Sequence, residues 1–270
     1  YKLYIDKEIE KFGLQSEYVQ TQLFVNFDII GDKFMTMRQL RDSNIMKGNL
    51  ESNLISTREQ YRIAGLDPAL RGDYACMVYG LGYPNENLQG FKSEIKDVVI
   101  FNEKRQTMSA KELVNFVARE CKANRIDMLM VDSTANQIYF IEQLYDHFKE
   151  NNISTLVIPY TFSGGNKQVM MSYLENSIFS QNIEFPREDY IKHSFGYKEL
   201  IDEMLYLKKE VRANGMSYKA PEGTEFFDDA VMATALFNYL LAYIASQRRK
   251  RRIIDIGQNS YYLTYNRWKE

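Results

Sequence analysis

Cysteine, histidine and long apolar runs are all scarce in these 270 residues. Cys76 and Cys121 are the only cysteines, which excludes a disulfide framework. His147 and His193 are the only histidines, so a four-ligand Cys/His zinc site is nearly excluded as well. No run of about 18 consecutive apolar residues occurs, which argues against a simple membrane span. The first residues, YKLYIDKEIEKFG, are charged and lack an apolar stretch, so no signal peptide is expected. So few cysteines fit a reducing compartment. The phosphate-loop pattern G-x-x-x-x-G-K-[ST] is missing too, since GGNKQ has neither its spacing nor its hydroxyl.

What remains is an ordinary globular composition, with 45% hydrophobic and 26% charged residues. At this length it implies one large domain, or one domain with an appendage. The formal net charge is -2. From Ser246 to Glu270 there are seven basic and two acidic residues, a local +5 that leaves -7 for the rest. The run Arg248, Arg249, Lys250, Arg251, Arg252 is either a nucleic-acid contact or a solvated helix end favoured by the helix dipole. Three parts follow: 1–60, polar and weakly periodic; 61–245, the folded body; and 246–270, a basic tail.

Within the body, YRIAGLDPA, DYACMVYGLGY and KDVVIFNEKR read as three strands of an antiparallel meander, with PNENLQGFKSEI as a loop. SAKELVNFVARECKANR opens on Ser109, three residues before Glu112, a capping-box start for a helix. IDMLMVDST is a nearly continuous apolar run, as expected of a central strand covered on both faces. NQIYFIEQLYDHFKENN is an amphipathic helix and STLVIPYTF a strand. GNKQVMMSYLENSIFSQN and YKELIDEMLYLKKEV are further helices, and RANG turns a hairpin into MSYKAPEG. FFDDAVMATALFNYLLAYIASQRRKRR is one long helix beginning at paired aspartates. This order implies an α/β fold with a mixed central sheet, a three-strand antiparallel meander plus parallel strands, flanked by helices and carrying an added β-hairpin.

Acids fall at the edges of the most apolar elements. Asp67 ends the first strand, Asp132 ends the central strand, and Asp228 and Asp229 open the last helix. Burying such a group is costly unless its charge is compensated, and a divalent cation is the strongest partner. Hard cations such as Mg²⁺ and Mn²⁺ prefer oxygen ligands. Two of them ~3.5–4 Å apart activate water and stabilise the leaving oxygen of a phosphodiester. Each acid also has a plainer reading. Asp67 before Pro68 suits a turn, Asp132 suits an N-cap, and Asp228 or Asp229 suits the helix dipole.

The order of these acids resembles the RNase H-like (retroviral integrase-like) nucleases, and more closely the nuclease half of the large terminase subunit of tailed bacteriophages. GLDPALRGDYA resembles the first-strand motif, MLMVDST the central-strand motif and EFFDDAVMATAL the closing acidic helix. FSGGNKQVMMSYLENSIFSQNIEFP resembles the stretch with a Lys before a helix and a Pro-terminated strand after it. KFGLQSEYVQTQLFVNFDIIGDKFMT resembles the end of the ATPase region and its linker. The likeness runs from about Lys11 to about Ala245.

It implies a metal-dependent endonuclease that cuts concatemeric double-stranded DNA in the host bacterial cytoplasm during genome packaging. The catalytic metal ligands would be Asp67, Asp132 and Asp229, with Asp228 either a ligand or a neighbour, holding two Mg²⁺ or Mn²⁺ ions. The ATPase region of a longer chain, a small terminase subunit and a portal protein are the implied partners, with no membrane. Lys167 at a Gly-rich helix start, and Lys208, Lys209, Arg212 and Lys219 on the hairpin, are candidate DNA-backbone contacts. The near-neutral charge predicts weak, salt-sensitive DNA binding by the fragment alone. A junction resolvase or transposase-like nuclease, or a non-catalytic docking module of the packaging motor, are the alternatives.

Overall fold

The computed structural model describes residues 2–13, 19, 33–51, 54, 60–68, 73–85, 90–104, 107–134, 138–212, 215–221 and 227–266. Most of the stretch likened to the ATPase linker lies outside these residues. Helix α1 (Lys2–Phe12) and the short α2 (Met37–Asp42) precede strand β1 (Met46–Gly48). Next come β2 (Tyr61–Pro68), β3 (Ala75–Asn85) and β4 (Gly90–Ile100), the expected meander. Helix α3 (Ala110–Ala123) starts at the Ser109–Glu112 capping box. It leads through β5 (Met128–Asp132), α4 (Ile138–Glu150) and β6 (Leu156–Tyr160) to α5 (Gly164–Phe179). After β7 (Ile183–Pro186) and a 3₁₀ turn come α6 (Phe195–Tyr206), the hairpin β8 (Lys208–Arg212) with β9 (Gly215–Lys219), and α7 (Asp229–Asn266).

Seven strands form one sheet in the order β1-β7-β4-β3-β2-β5-β6. The β2–β3–β4 pairings are antiparallel, while β5 and β6 add in parallel on one side and β7 and β1 on the other. The sheet is therefore mixed and the fold is α/β. Two differences from the sequence reading stand out. PNENLQGFKSEI is not simply a loop: β3 extends to Asn85 and β4 begins at Gly90, paired with it, with a register shift at Tyr79/Gly80. Turn-prone Pro, Asn and Gly mask the alternation of Phe91, Ser93 and Ile95 with Lys92, Glu94 and Lys96, the period of a paired strand. Second, the helix read as YKELIDEMLYLKKEV stops at Tyr206, and KKEV is strand β8.

The sheet is covered on both faces. Ala64, Leu66, Leu129 and Val131 pack with α3 and α4, and Ile63, Val78 and Met130 pack with α5, α6 and α7. Alternation along a strand then places Gly65 and Asp67 with Ile63, and Asp132 with Met130, on the α7 face. Asp229–Gln247 of α7 is long and apolar enough to cross a membrane by length and composition, but 72% of that stretch is buried within the fold. Its apolar surface is consumed by β2, β3 and the neighbouring helices.

An ion pair fixes the two acid-bearing strands against each other. The Arg62 guanidinium donates to Asp127 at 2.7 Å (Nη2 to Oδ1) and 3.2 Å (Nε to Oδ2), and the Arg62 N–H donates to Oδ2 at 2.8 Å. Arg62 lies five residues before Asp67, and Asp127 five before Asp132. Between them β2 and β5 run in parallel register from Ile63↔Met128 to Leu66↔Val131.

Candidate active site

Asp67 is the penultimate residue of β2 and sits opposite Cys76 of β3, inside the ladder rather than in a turn. It is 8% exposed. Its carboxyl is held well above the usual carboxylate range, first by burial and then by the like charges of Asp229, Asp132 and Asp228, with Lys167 pulling the other way. Four carboxyl groups from three distant parts of the chain thus lie near enough to the ends of β2 and β5 for their charges to act on Asp67.

Asp132 is the last residue of β5 and is 5% exposed. Its Oδ1 accepts from the Thr134 N–H at 2.8 Å and the Thr134 hydroxyl at 2.5 Å. That hydroxyl oxygen also accepts from the Phe162 N–H at 2.8 Å, tying the turn to the end of β6. Asp132 therefore anchors a turn and does not cap α4, since Ser133 and Thr134, which follow it, are not helical. Burial raises its pKa, and the Thr134 hydrogen bonds oppose that shift.

Asp229 opens α7 and is 7% exposed. Its Oδ2 accepts from the Tyr74 N–H at 2.9 Å, so it reaches across to the start of β3. Asp228 is half-buried and takes the Lys167 ammonium on Oδ2 at 3.1 Å. The first amides of α7 go elsewhere: Glu203 of α6 accepts from the Ala230 N–H at 2.7 Å and the Val231 N–H at 3.0 Å. Glu203 is 2% exposed, and burial followed by Asp229 drives its pKa well up.

All of the gathered donors are oxygen atoms, which suits a hard divalent cation. Among the described residues no three His, Cys, Asp or Glu side chains form a ready-made cation cage. The carboxyls are gathered, but Asp132, Asp228 and Asp229 are each engaged by a donor of the protein.

Among solved structures, the large terminase nuclease of thermophilic phage G20c with bound cobalt superposes with a TM-score of 0.51 at 14% identity, over 77% of this chain and 97% of that one. The HK97 bacteriophage large terminase gives 0.53 at 11% identity, over 76% of this chain but 43% of its own. The Thermus phage P74-26 large terminase nuclease domain gives 0.50 at 14%, over 74% and 93%. The chain has the fold of phage large-terminase nucleases. No protein-family profile matches it, and no curated protein sequence does.

In this terminase-nuclease fold the candidate DNA contacts are placed unequally. Lys167 stands at the first turn of α5 and is committed to Asp228, over the face of Phe162. Lys209 points inward to Glu175 at 2.7 Å, with 11% of its side chain exposed, so its charge is turned away from solvent. Lys208 is half-buried and Lys219 exposed. The side chain of Arg212, like those of the tail from Arg248 onward, lies outside the described residues, although the α7 backbone runs on to Asn266.

Sequence reasoning missed Glu203. The signal was there: Gly196, Tyr197, Leu200, Ile201 and Met204 form the buried stripe of α6, and Glu203 falls on it. A charged residue on a helix's apolar stripe needs a partner, and here the partner is the start of α7.

Proposed function

We propose that this chain is the nuclease part of a phage DNA-packaging terminase, a metal-dependent endonuclease acting on double-stranded DNA. The observation that carries this reading is the gathering of Asp67, Asp132, Asp228 and Asp229 around the ends of β2 and β5, in a fold shared with terminase nucleases. The G20c nuclease holds cobalt, which supports a divalent cation here.

Asp67, Asp132 and Asp229 would hold Mg²⁺ or Mn²⁺, with Asp228 alongside. Two such ions, when bound, supply an activated water and stabilise the leaving oxygen. Mg²⁺ is commonly held by one or two carboxylates, with water and substrate phosphate completing its shell, so a closed protein cage is not required. The chain's own residues prepare this site. Thr134 fixes the orientation of Asp132, and the Tyr74 N–H fixes Asp229. Burial and crowding make an unpaired charge on Asp67 costly, which favours an arriving cation. Lys167 places a positive charge beside the carboxyls, where DNA phosphate would draw it from Asp228. The ATPase region of a longer chain, a small subunit and a portal are the expected partners in the host cytoplasm.

The test is plasmid cleavage. With Mn²⁺ or Mg²⁺ the chain should nick and linearise supercoiled DNA, and EDTA should stop it. Asp67→Asn and Asp132→Asn should each fold and lose cleavage by roughly 10²-fold or more. Full activity in both variants would reject the site. A strong preference for branched over linear duplex would redirect the reading to a junction resolvase.

A further inference from the structure

We infer that Glu203 is the positioning residue of this site, holding the first turn of α7 and through it Asp228 and Asp229. The inference rests on the metal-nuclease reading above for its consequence, though not for its geometry.

A helix begins with amide groups that have no partner within the helix, and buried ones must be satisfied from outside. On α7 two of them, Ala230 and Val231, donate to a single oxygen, Glu203 Oε2, at 2.7 and 3.0 Å. The side chain comes from α6, 27 residues earlier, and is 2% exposed. Its other oxygen, Oε1, is buried and has no hydrogen-bond partner among the described residues. A carboxylate at a helix N-terminus is favoured by the dipole, but one buried beside further acids is an expensive cap where Ser or Thr is the common choice.

The result is a division of labour. Plain capping was the competing role for Asp228 and Asp229. With Glu203 bonded to the adjacent amides, Asp229 reaches the Tyr74 amide and Asp228 pairs with Lys167. Groups that orient metal ligands from behind commonly matter 10–100-fold in metal affinity when removed.

The experiment compares wild type, Glu203→Ala and Glu203→Gln in the 270-residue chain. Mn²⁺ binding is measured by calorimetry, and amide deuterium exchange over residues 227–236 is measured in EDTA. An amide oxygen still accepts from both backbone groups, so Glu203→Gln should stay within about threefold of wild type in Mn²⁺ affinity and keep the protection. Glu203→Ala should expose the first turn of α7 to exchange and weaken Mn²⁺ binding at least ~10-fold. Glu203→Ala with wild-type Mn²⁺ affinity overturns the inference, even if its melting temperature falls, because Glu203 would then be a structural cap only. Should Glu203→Ala not fold, Glu203→Asp decides, since it keeps the charge and withdraws the oxygen by one methylene. Wild-type affinity and protection in that variant overturn the inference, and loss of both supports it. A wild-type chain that binds no Mn²⁺ would reject the metal reading, and the exchange comparison would still decide whether Glu203 holds α7.

Discussion

Adding one methyl group to Gly65 should damage both the stability and the chemistry of this protein. Gly65 lies in β2 two residues before Asp67, on the face beneath α7. A Cβ there would stand 2.2 Å from the Ala233 carbonyl oxygen and 2.3 Å from the Phe237 nitrogen. Ordinary contact begins near 3.4 Å, so the overlap is about 1.2 Å, and it is with helix backbone that cannot rotate aside. The helix must lift from the strand by about 1 Å or the strand must bend. Overpacking of this kind costs ~1–3 kcal/mol. At ~2–4 °C per kcal/mol for a domain of this size, Gly65→Ala should melt roughly 2–12 °C lower. The same shift separates Asp67 on β2 from Asp229 on α7, and a misplacement of ~1 Å can cost ~10²-fold in rate. Gly82→Ala is the control. Its Cβ would meet Leu241 Cδ2 at 2.5 Å and Ile63 Cδ1 at 3.2 Å, both the ends of flexible side chains and neither of them backbone, so cleavage should persist. Differential scanning fluorimetry and Mn²⁺-dependent plasmid nicking read the two effects. A Gly65→Ala protein that melts and cuts like wild type would show that the packing of α7 on β2 does not set the site.

Two other perturbations test the electrostatics. In the metal-free protein Asp67, Asp97, Asp132 and Glu203 are all held above the usual carboxylate range, chiefly by burial. Their protonated forms are therefore favoured by folding, and this stabilisation is complete below the ordinary range near 4 and is lost as pH rises through the raised values. The melting temperature in EDTA should fall as pH rises above the ordinary carboxylate range, and saturating Mn²⁺ should flatten or reverse that slope; a pH-independent melt in EDTA would contradict it. Lys167→Met removes a cation that pairs with Asp228 and offsets Asp67 and Asp132. It should lower the metal-free melting temperature and tighten Mn²⁺ binding about 3–5-fold by calorimetry, the scale of a part-exposed ion pair of ~1 kcal/mol. Unchanged affinity would show that Lys167 and the metal do not compete.

Elements with one strong period were legible from sequence. The runs IAGLD and LMVD are apolar because β2 and β5 are covered on both faces, and an acid at the end of each is conspicuous. The Ser109 capping box and the pairing of β8 with β9 are local chemistry, and local chemistry is readable. Partnership at long range was not. Nothing in Met46–Gly48 announces that β1 pairs with β7, because three residues carry too little pattern. Lys209 looked like one of several hairpin cations, and only the fold reveals Glu175 beside it. The acids' alternative roles, turn and cap, were separable only once Asp67 was placed opposite Cys76 and Glu203 beneath α7.

The clamp between Arg62 and Asp127 makes both acid-bearing strands behave like rulers read from a common zero. Each acid is five steps from that mark, and odd and even steps point to opposite sides of the sheet. Gly65 apart, where a Cβ meets the α7 backbone, substitutions within either interval alter packing by degrees, whereas removing a single residue would turn the terminal carboxyl over to the side lined by α3 and α4. The chain can accept drift in composition here far more readily than any change in count.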